Sequence, residues 1–179
     1  VGVEVGFGAW VAVVVLRDHL AGEAVAASIA SLFWGGITVG RLLAVPLAVR
    51  FSTDSLVRAN LLGCLLSSTL LVAVGRESLG WAATGAGLFG VCMASIFPLA
   101  MSLLPSWAGY VLSDKNSSRM VIGGALGEMI VPASIAGLLG PNDGGRPSAL
   151  YVACGAVSLF MIVVYGVWCR LAWGRPLKM

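Results

Sequence analysis

Long apolar runs alternate with short polar turns along this chain of 179 residues. Six such runs can be read, at about 1–16, 23–50, 55–75, 79–104, 118–139 and 148–173. Arg17-Asp18-His19 ends the first. Phe51-Ser52-Thr53-Asp54 separates the second from the third, with Asp54 or Thr53 placed to cap the helix that follows. Arg76-Glu77 closes the third run, the polar stretch Ser113–Ser117 follows the fourth, and Gly140–Pro147 (GPNDGGRP) is a strong loop signal before the last. Runs of this length are continuous, unlike the alternating segments of about ten residues that build an outer-membrane barrel. The pattern predicts an all-α, polytopic membrane protein of six transmembrane helices, each satisfying its own backbone hydrogen bonds in lipid.

The first run is the exception in length. Sixteen residues rise about 24 Å as a helix, short of a hydrocarbon core about 30 Å thick. The chain opens on Val1 and has no basic residues ahead of this run, so the run is not a signal peptide. The expectation is a chain that begins partway through a helix and is a fragment of a longer protein.

Composition strengthens this picture. Hydrophobic residues make up 59% of the chain and charged residues 11%, against about 45–50% and about 25% in soluble domains. The net charge of +3 sits at helix ends and forms no basic stripe, which excludes nucleic acid as a partner. Cys64, Cys92, Cys154 and Cys169 all lie in apolar runs without C-x-x-C spacing, and the only histidine, His19, lies in a loop. No metal or cofactor is expected from them. An intramembrane protease would need a serine and a histidine at membrane depth, or H-E-x-x-H, so an enzyme is not expected either.

Loop charges give an orientation. Arg50, Arg58, Lys115, Arg119, Arg170, Arg175 and Lys178 fall on one side, Arg17, Arg76 and Arg146 on the other. The bias of positive residues toward the cytoplasm places the C-terminus there, with the plasma membrane the favoured location. Trp81, Trp107 and Trp173 fit the interfacial aromatic belt.

Three ionisable residues are left inside the runs: Glu4, Arg41 and Glu128. Counted from Arg17, Arg50 and Arg119, helix rise puts them about 19, 14 and 14 Å from their nearest flanking charge, close to the midplane. Arginine at that depth costs at least about 2.5 kcal/mol on insertion scales, so a buried partner is expected. Arg41 would pair with one carboxylate, leaving the other for a proton, a cation or a substrate hydroxyl. The bland alternative is an ion pair that only locks the bundle, and it stays open. Trp10, Phe33, Trp34, Phe89 and Phe97 lie at similar depth and could line a cavity or simply pack. Ser31, Thr38, Ser95 and Ser102 are further hydroxyl candidates. Gly35, Gly36, Gly40, Gly85, Gly87, Gly90, Gly123, Gly124 and Gly127 would let helix backbones approach. Pro46, Pro98 and Pro132 are expected to kink their helices.

Three stretches carry a family resemblance: VGVEVGFGAW, SLFWGGITVGRLLAVPLAVR and ASIFPLAMSLLPSW. They resemble the fucose-permease-like branch of the major facilitator superfamily, near the sodium-dependent glucose transporter-like proteins, and the six runs resemble that fold's C-terminal half. The resemblance implies a twelve-helix secondary active transporter working by alternating access on a small polar solute, a sugar by analogy, with H+ or Na+ as coupling ion. It implies positions near the substrate for Glu4, Trp10 and part of the stretch from Phe89 to Phe97, and places Arg41 and Glu128 at the interface between halves; Glu4, Trp10, Trp34, Arg41, Phe97 and Glu128 are the substrate- or ion-binding candidates. The turn RFSTDSLVR matches the place of a cytoplasmic gating loop, making Arg50, Asp54 and Arg58 gating candidates, although the family's basic run is absent. The partners implied are the bilayer, the small-molecule substrate, and the missing N-terminal half or a second copy. The alternative is a truncated membrane interaction protein, or a half-transporter that dimerises.

Overall fold

A computed structural model describes residues 1–108, 114–140, 146 and 148–173. These residues form helices throughout, with no strand among them. The helices are α1 (Gly2–Arg17), α2 (Glu23–Arg50), α3 (Thr53–Val74), α4 (Leu79–Met93), α5 (Ile96–Ala108), α6 (Asp114–Leu139) and α7 (Ala149–Trp173). Five spans are long and apolar enough to cross a membrane, α4 and α5 counting together as one, from Leu79 to Leu103. α1, with 16 residues, is shorter.

The boundaries differ from the sequence expectation in three places. α3 is capped by Ser52, whose hydroxyl accepts from the Ser55 amide. Thr53 and Asp54 lie inside the first turn instead, and Asp54 is drawn into a side-chain network described below. α6 starts at Asp114, so residues 114–117, expected in a linker, are helical. The fourth run is broken at Ala94-Ser95 into α4 and α5. The break is placed by Pro98, which has no N–H to return to the carbonyl four residues earlier, that of Ala94. Pro46 and Pro132, by contrast, lie inside uninterrupted α2 and α6. The Trp107 and Trp173 side chains fall outside the described residues, while Trp81 is exposed.

α2 packs on α4, α3 on α4 and α7, and α1 on α6 and α2. Small residues set how closely these helices approach, as expected where lipid offers no hydrophobic drive for association. A side chain at Gly36 would meet the Gly87 carbonyl at 2.5 Å, one at Gly40 the Val91 carbonyl, and one at Gly90 the Phe33 carbonyl. The α2–α4 contact is therefore backbone on backbone. Gly35 and Gly123 face open space instead, so those two glycines have no packing partner among the described residues.

The core between α1, α2 and α4 is aromatic. Phe7 lies 4.8 Å from Phe33 and 4.9 Å from Phe89 between ring centroids. All three are fully buried, which makes Phe33 and Phe89 packing residues and removes them from any cavity wall. At one end of the bundle the α1–α2 and α3–α4 turns are clasped by Asp18 and Arg76. At the other end, Asp54 joins α3 to α7.

Candidate functional site

The site is built where α1, α2 and the α4–α5 break meet. Glu4 sits in the first turn of α1 and Arg41 midway along α2. Gly36 and Gly40 bring the α2 backbone against α4, and Arg41 follows Gly40 directly, so the same approach carries Arg41 to the break. Its Nη2 lies 3.1 Å from Glu4 Oε1. Its Nε makes a long hydrogen bond, 3.5 Å, to the Ala94 carbonyl, the acceptor that Pro98 leaves without its usual partner. One guanidinium thus spans a carboxylate and a freed backbone carbonyl.

The partners differ in exposure. The Arg41 side chain is 61% exposed and the Glu4 side chain 12%. On the far side of the break, Asn60 Nδ2 donates to Ser95 Oγ at 2.7 Å. Ser95 is buried, so α3 holds the break in place independently of Arg41.

Glu128 does not join this pair. It lies exposed on α6 and forms no ion pair among the described residues. The similar depth of the three charges is real for Glu4 and Arg41, which touch. A similar height does not bring Glu128 to the pair, because height does not fix azimuth. α6 has almost none of its apolar stretch buried, and its inward contacts to α1 are made by other positions, such as Val131 and Ile135 against Gly6.

The aromatic candidates divide. Trp10 donates its indole N–H to the Pro132 carbonyl at 3.1 Å and ties α1 to α6. Trp34 is 43% exposed, lies edge-on to Phe33, and covers Gly8, where a side chain would strike its ring at 2.5 Å. Phe97, just past the α4–α5 break, is half-buried and reaches toward Gly124 of α6. These three therefore lie around α1 near the ion pair. Thr38 and Ser31 bond their own helix backbone, as does Ser102.

The turn candidates form a separate group at the bundle end. Arg58 Nε lies 2.9 Å from Asp54 Oδ2, and the Tyr165 hydroxyl donates to Asp54 Oδ1 at 2.6 Å. Cys169 Sγ is 3.7 Å from the same oxygen. Arg50 is exposed and outside this group. Tyr165, Cys169 and the Ala94 carbonyl were not foreseen. Only the last had a signal in the sequence, a proline four positions after a residue facing a charged neighbour helix.

The architecture is that of a polytopic, all-α integral membrane protein with an ion pair between α1 and α2. The chain is 33% identical over 176 residues to sodium-dependent glucose transporter 1 of Xenopus laevis, with 96% of this chain and 34% of that protein covered. It is 31% identical over 179 residues to sodium-dependent glucose transporter 1A of Mus musculus, with 99% and 40% covered. It is 26% identical over 138 residues to major facilitator superfamily domain-containing protein 4A of Xenopus tropicalis, with 76% and 26% covered. The chain is a homologue of these proteins, consistent with a fragment related to the major facilitator superfamily, as its motifs suggested. It spans about a third of the length of the curated relatives it matches. No family model matches it, and no solved structure matches it significantly.

Proposed function

We propose that this chain is the C-terminal six-helix half of a sodium-coupled secondary transporter for a sugar, with an N-terminal half or a second copy completing the path. The relatives named for sodium-dependent glucose transport support the sugar and the ion. The coverage of about a third of their length fits a chain that supplies only part of the path. The observation that carries the proposal is the Glu4–Arg41 pair at the α4–α5 break. A charge pair at membrane depth is costly. A static bundle could fill the same volume with apolar side chains at little loss, since ion pairs are weak stabilisers.

In this reading α1 and the α4–α5 break line the cavity, with Glu4, Trp10, Trp34 and Phe97 near the substrate. Arg41 and the open face of α6, with Glu128, turn toward the other half. Asp54 with Arg50 and Arg58 lies at the cytoplasmic end, with the C-terminus on the same side at the plasma membrane. The two halves alternate access by rocking about the midplane. Chemistry on the substrate is not required of any residue.

The test is uptake of labelled glucose by cells expressing the full-length protein, in sodium and in sodium-free medium. Sodium-dependent uptake, cut at least about tenfold by Glu4→Gln, is expected. Full uptake by that variant removes Glu4 from the mechanism. Absence of uptake of glucose and other hexoses by a folded, surface-expressed protein leaves the non-transporting interaction reading, which the uncovered face of α6 would then favour.

A further inference from the structure

We propose that Glu4 and the Ala94 carbonyl form a seat for a monovalent cation, and that the Arg41 guanidinium is its tethered occupant in the ion-free state. This deepens the transporter reading and rests on it for its biological meaning.

The seat is built from the oxygen types a hard cation takes, a carboxylate and a backbone carbonyl freed from helical bonding. Broken membrane helices offer such carbonyls to cations at their C-terminal ends. Ala94 closes α4, so the negative end of that helix dipole points into the same place. The carbonyl is free because residue 98 is proline. The break is held from the other side by the Asn60–Ser95 hydrogen bond, so the seat does not collapse when Arg41 leaves.

The occupant is the component able to leave. Arg41 reaches the seat from a side chain 61% exposed, while the Glu4 side chain beneath it is 12% exposed. With Arg41 withdrawn, an uncompensated carboxylate would be left at membrane depth, which is strongly unfavourable. A mobile cation entering from water removes that penalty. The two cations therefore exclude each other on one carboxylate. Binding of the ion releases Arg41, on the helix whose outer face is largely uncovered, and so changes what α2 presents to its surroundings.

The experiment is direct binding of radiolabelled Na+ to the purified full-length protein in detergent, with glucose uptake measured in parallel. Arg41→Gln removes the competitor and is expected to tighten Na+ binding at least about tenfold. Arg41→Lys, which keeps a tethered cation, stays near wild type. Glu4→Gln abolishes binding, and Glu4→Asp, which keeps the charge, retains it more weakly. Pro98→Ala restores an N–H to the Ala94 carbonyl and weakens binding severalfold. Na+ affinity unchanged or lowered in Arg41→Gln overturns the proposal, as does tracer binding that survives in Glu4→Gln, or no binding by either wild type or Arg41→Gln. Binding with the expected pattern but no sugar uptake keeps the cation seat and removes the sugar reading. Sugar uptake with an Arg41→Gln affinity equal to wild type removes the seat alone.

Discussion

Arg76 closes on Asp18 with its guanidinium fork: Nε lies 2.9 Å from both carboxylate oxygens and Nη2 lies 2.7 Å from Oδ1. The two residues belong to turns 58 positions apart. Asp18 is 3% exposed at its side chain and Arg76 is 46% exposed. The hydrogen bonds to Asp18 hold the Arg76 guanidinium above its ordinary range. Removing Arg76 would strand a buried carboxylate, whereas removing both partners would not. Arg76→Gln is expected to destabilise by about 2 kcal/mol, below the full cost of a buried pair because Arg76 is half in water. In a double-mutant cycle with Asp18→Asn, unfolding in detergent should give a coupling above about 1 kcal/mol. Additive effects would show that the clasp contributes nothing.

The approach of α2 to α4 makes a sharper prediction, because one glycine in the run serves as its own control. Gly36→Val and Gly40→Leu would drive side chains into the Gly87 and Val91 carbonyls. Overpacking of this kind costs about 1–3 kcal/mol. Gly35 faces nothing within 4 Å, so Gly35→Leu should leave the melting temperature unchanged or raise it slightly through helix propensity. Arg41 follows Gly40, so Gly40→Leu should also loosen the Glu4 contact. The comparison is made by thermal unfolding of the three variants in one detergent. Equal losses in all three would contradict the packing assigned to this face.

At the opposite end of the bundle, Asp54 receives the Tyr165 hydroxyl and the Arg58 guanidinium. The two contacts differ in worth. Arg58 is 58% exposed at its side chain, and exposed pairs contribute about 0–1 kcal/mol. The Tyr165 bond links α3 to α7 and has a charged acceptor, worth about 1.5–3 kcal/mol. Tyr165→Phe should therefore lower stability more than Arg58→Gln. A larger loss from Arg58→Gln would reverse the assignment.

The helical segments were legible in the sequence because apolar runs and polar turns are a one-dimensional signal, but the α3 cap, the start of α6 and the break after Met93 were not. That Glu4 and Arg41 sit at a common height was legible for the same reason, since helix rise converts position into height. Azimuth was not. Glu128 shares that height and lies exposed on α6, and no spacing within its own run said which way it faced. Phe33 and Phe89 looked like cavity aromatics and are fully buried against Phe7, a tertiary fact set by how α1, α2 and α4 meet. Ser52 took the cap from Thr53 and Asp54 because Asp54 was claimed by Tyr165, 111 positions away. Pro98 was readable as a disturbance. That its freed carbonyl would meet the one arginine at membrane depth required the fold.

The end of α6 offers a test that is independent of transport. Its last carbonyls are taken by Arg17 of α1: Nη1 donates to the Leu139 carbonyl at 2.6 Å and Nη2 to that of Gly140 at 3.1 Å. Gly140 stands at a φ of 66°, the left-handed conformation that ends helices and that glycine adopts without cost. Two devices thus stop the helix at one place, a backbone conformation and a cation at the negative end of the dipole. Arg17→Gln removes the second and should cost about 1–2 kcal/mol, with hydrogen exchange faster at residues 136–140 and unchanged in the middle of α6. Gly140→Ala strains the first and should cost about 1 kcal/mol. The two act on one helix end, so the double variant should lose less than the sum of the single losses once the terminal turn has already opened. Exchange at 136–140 that stays at the wild-type rate in Arg17→Gln would mean that the Gly140 conformation alone holds this end, and that Arg17 serves only to bring α1 beside it.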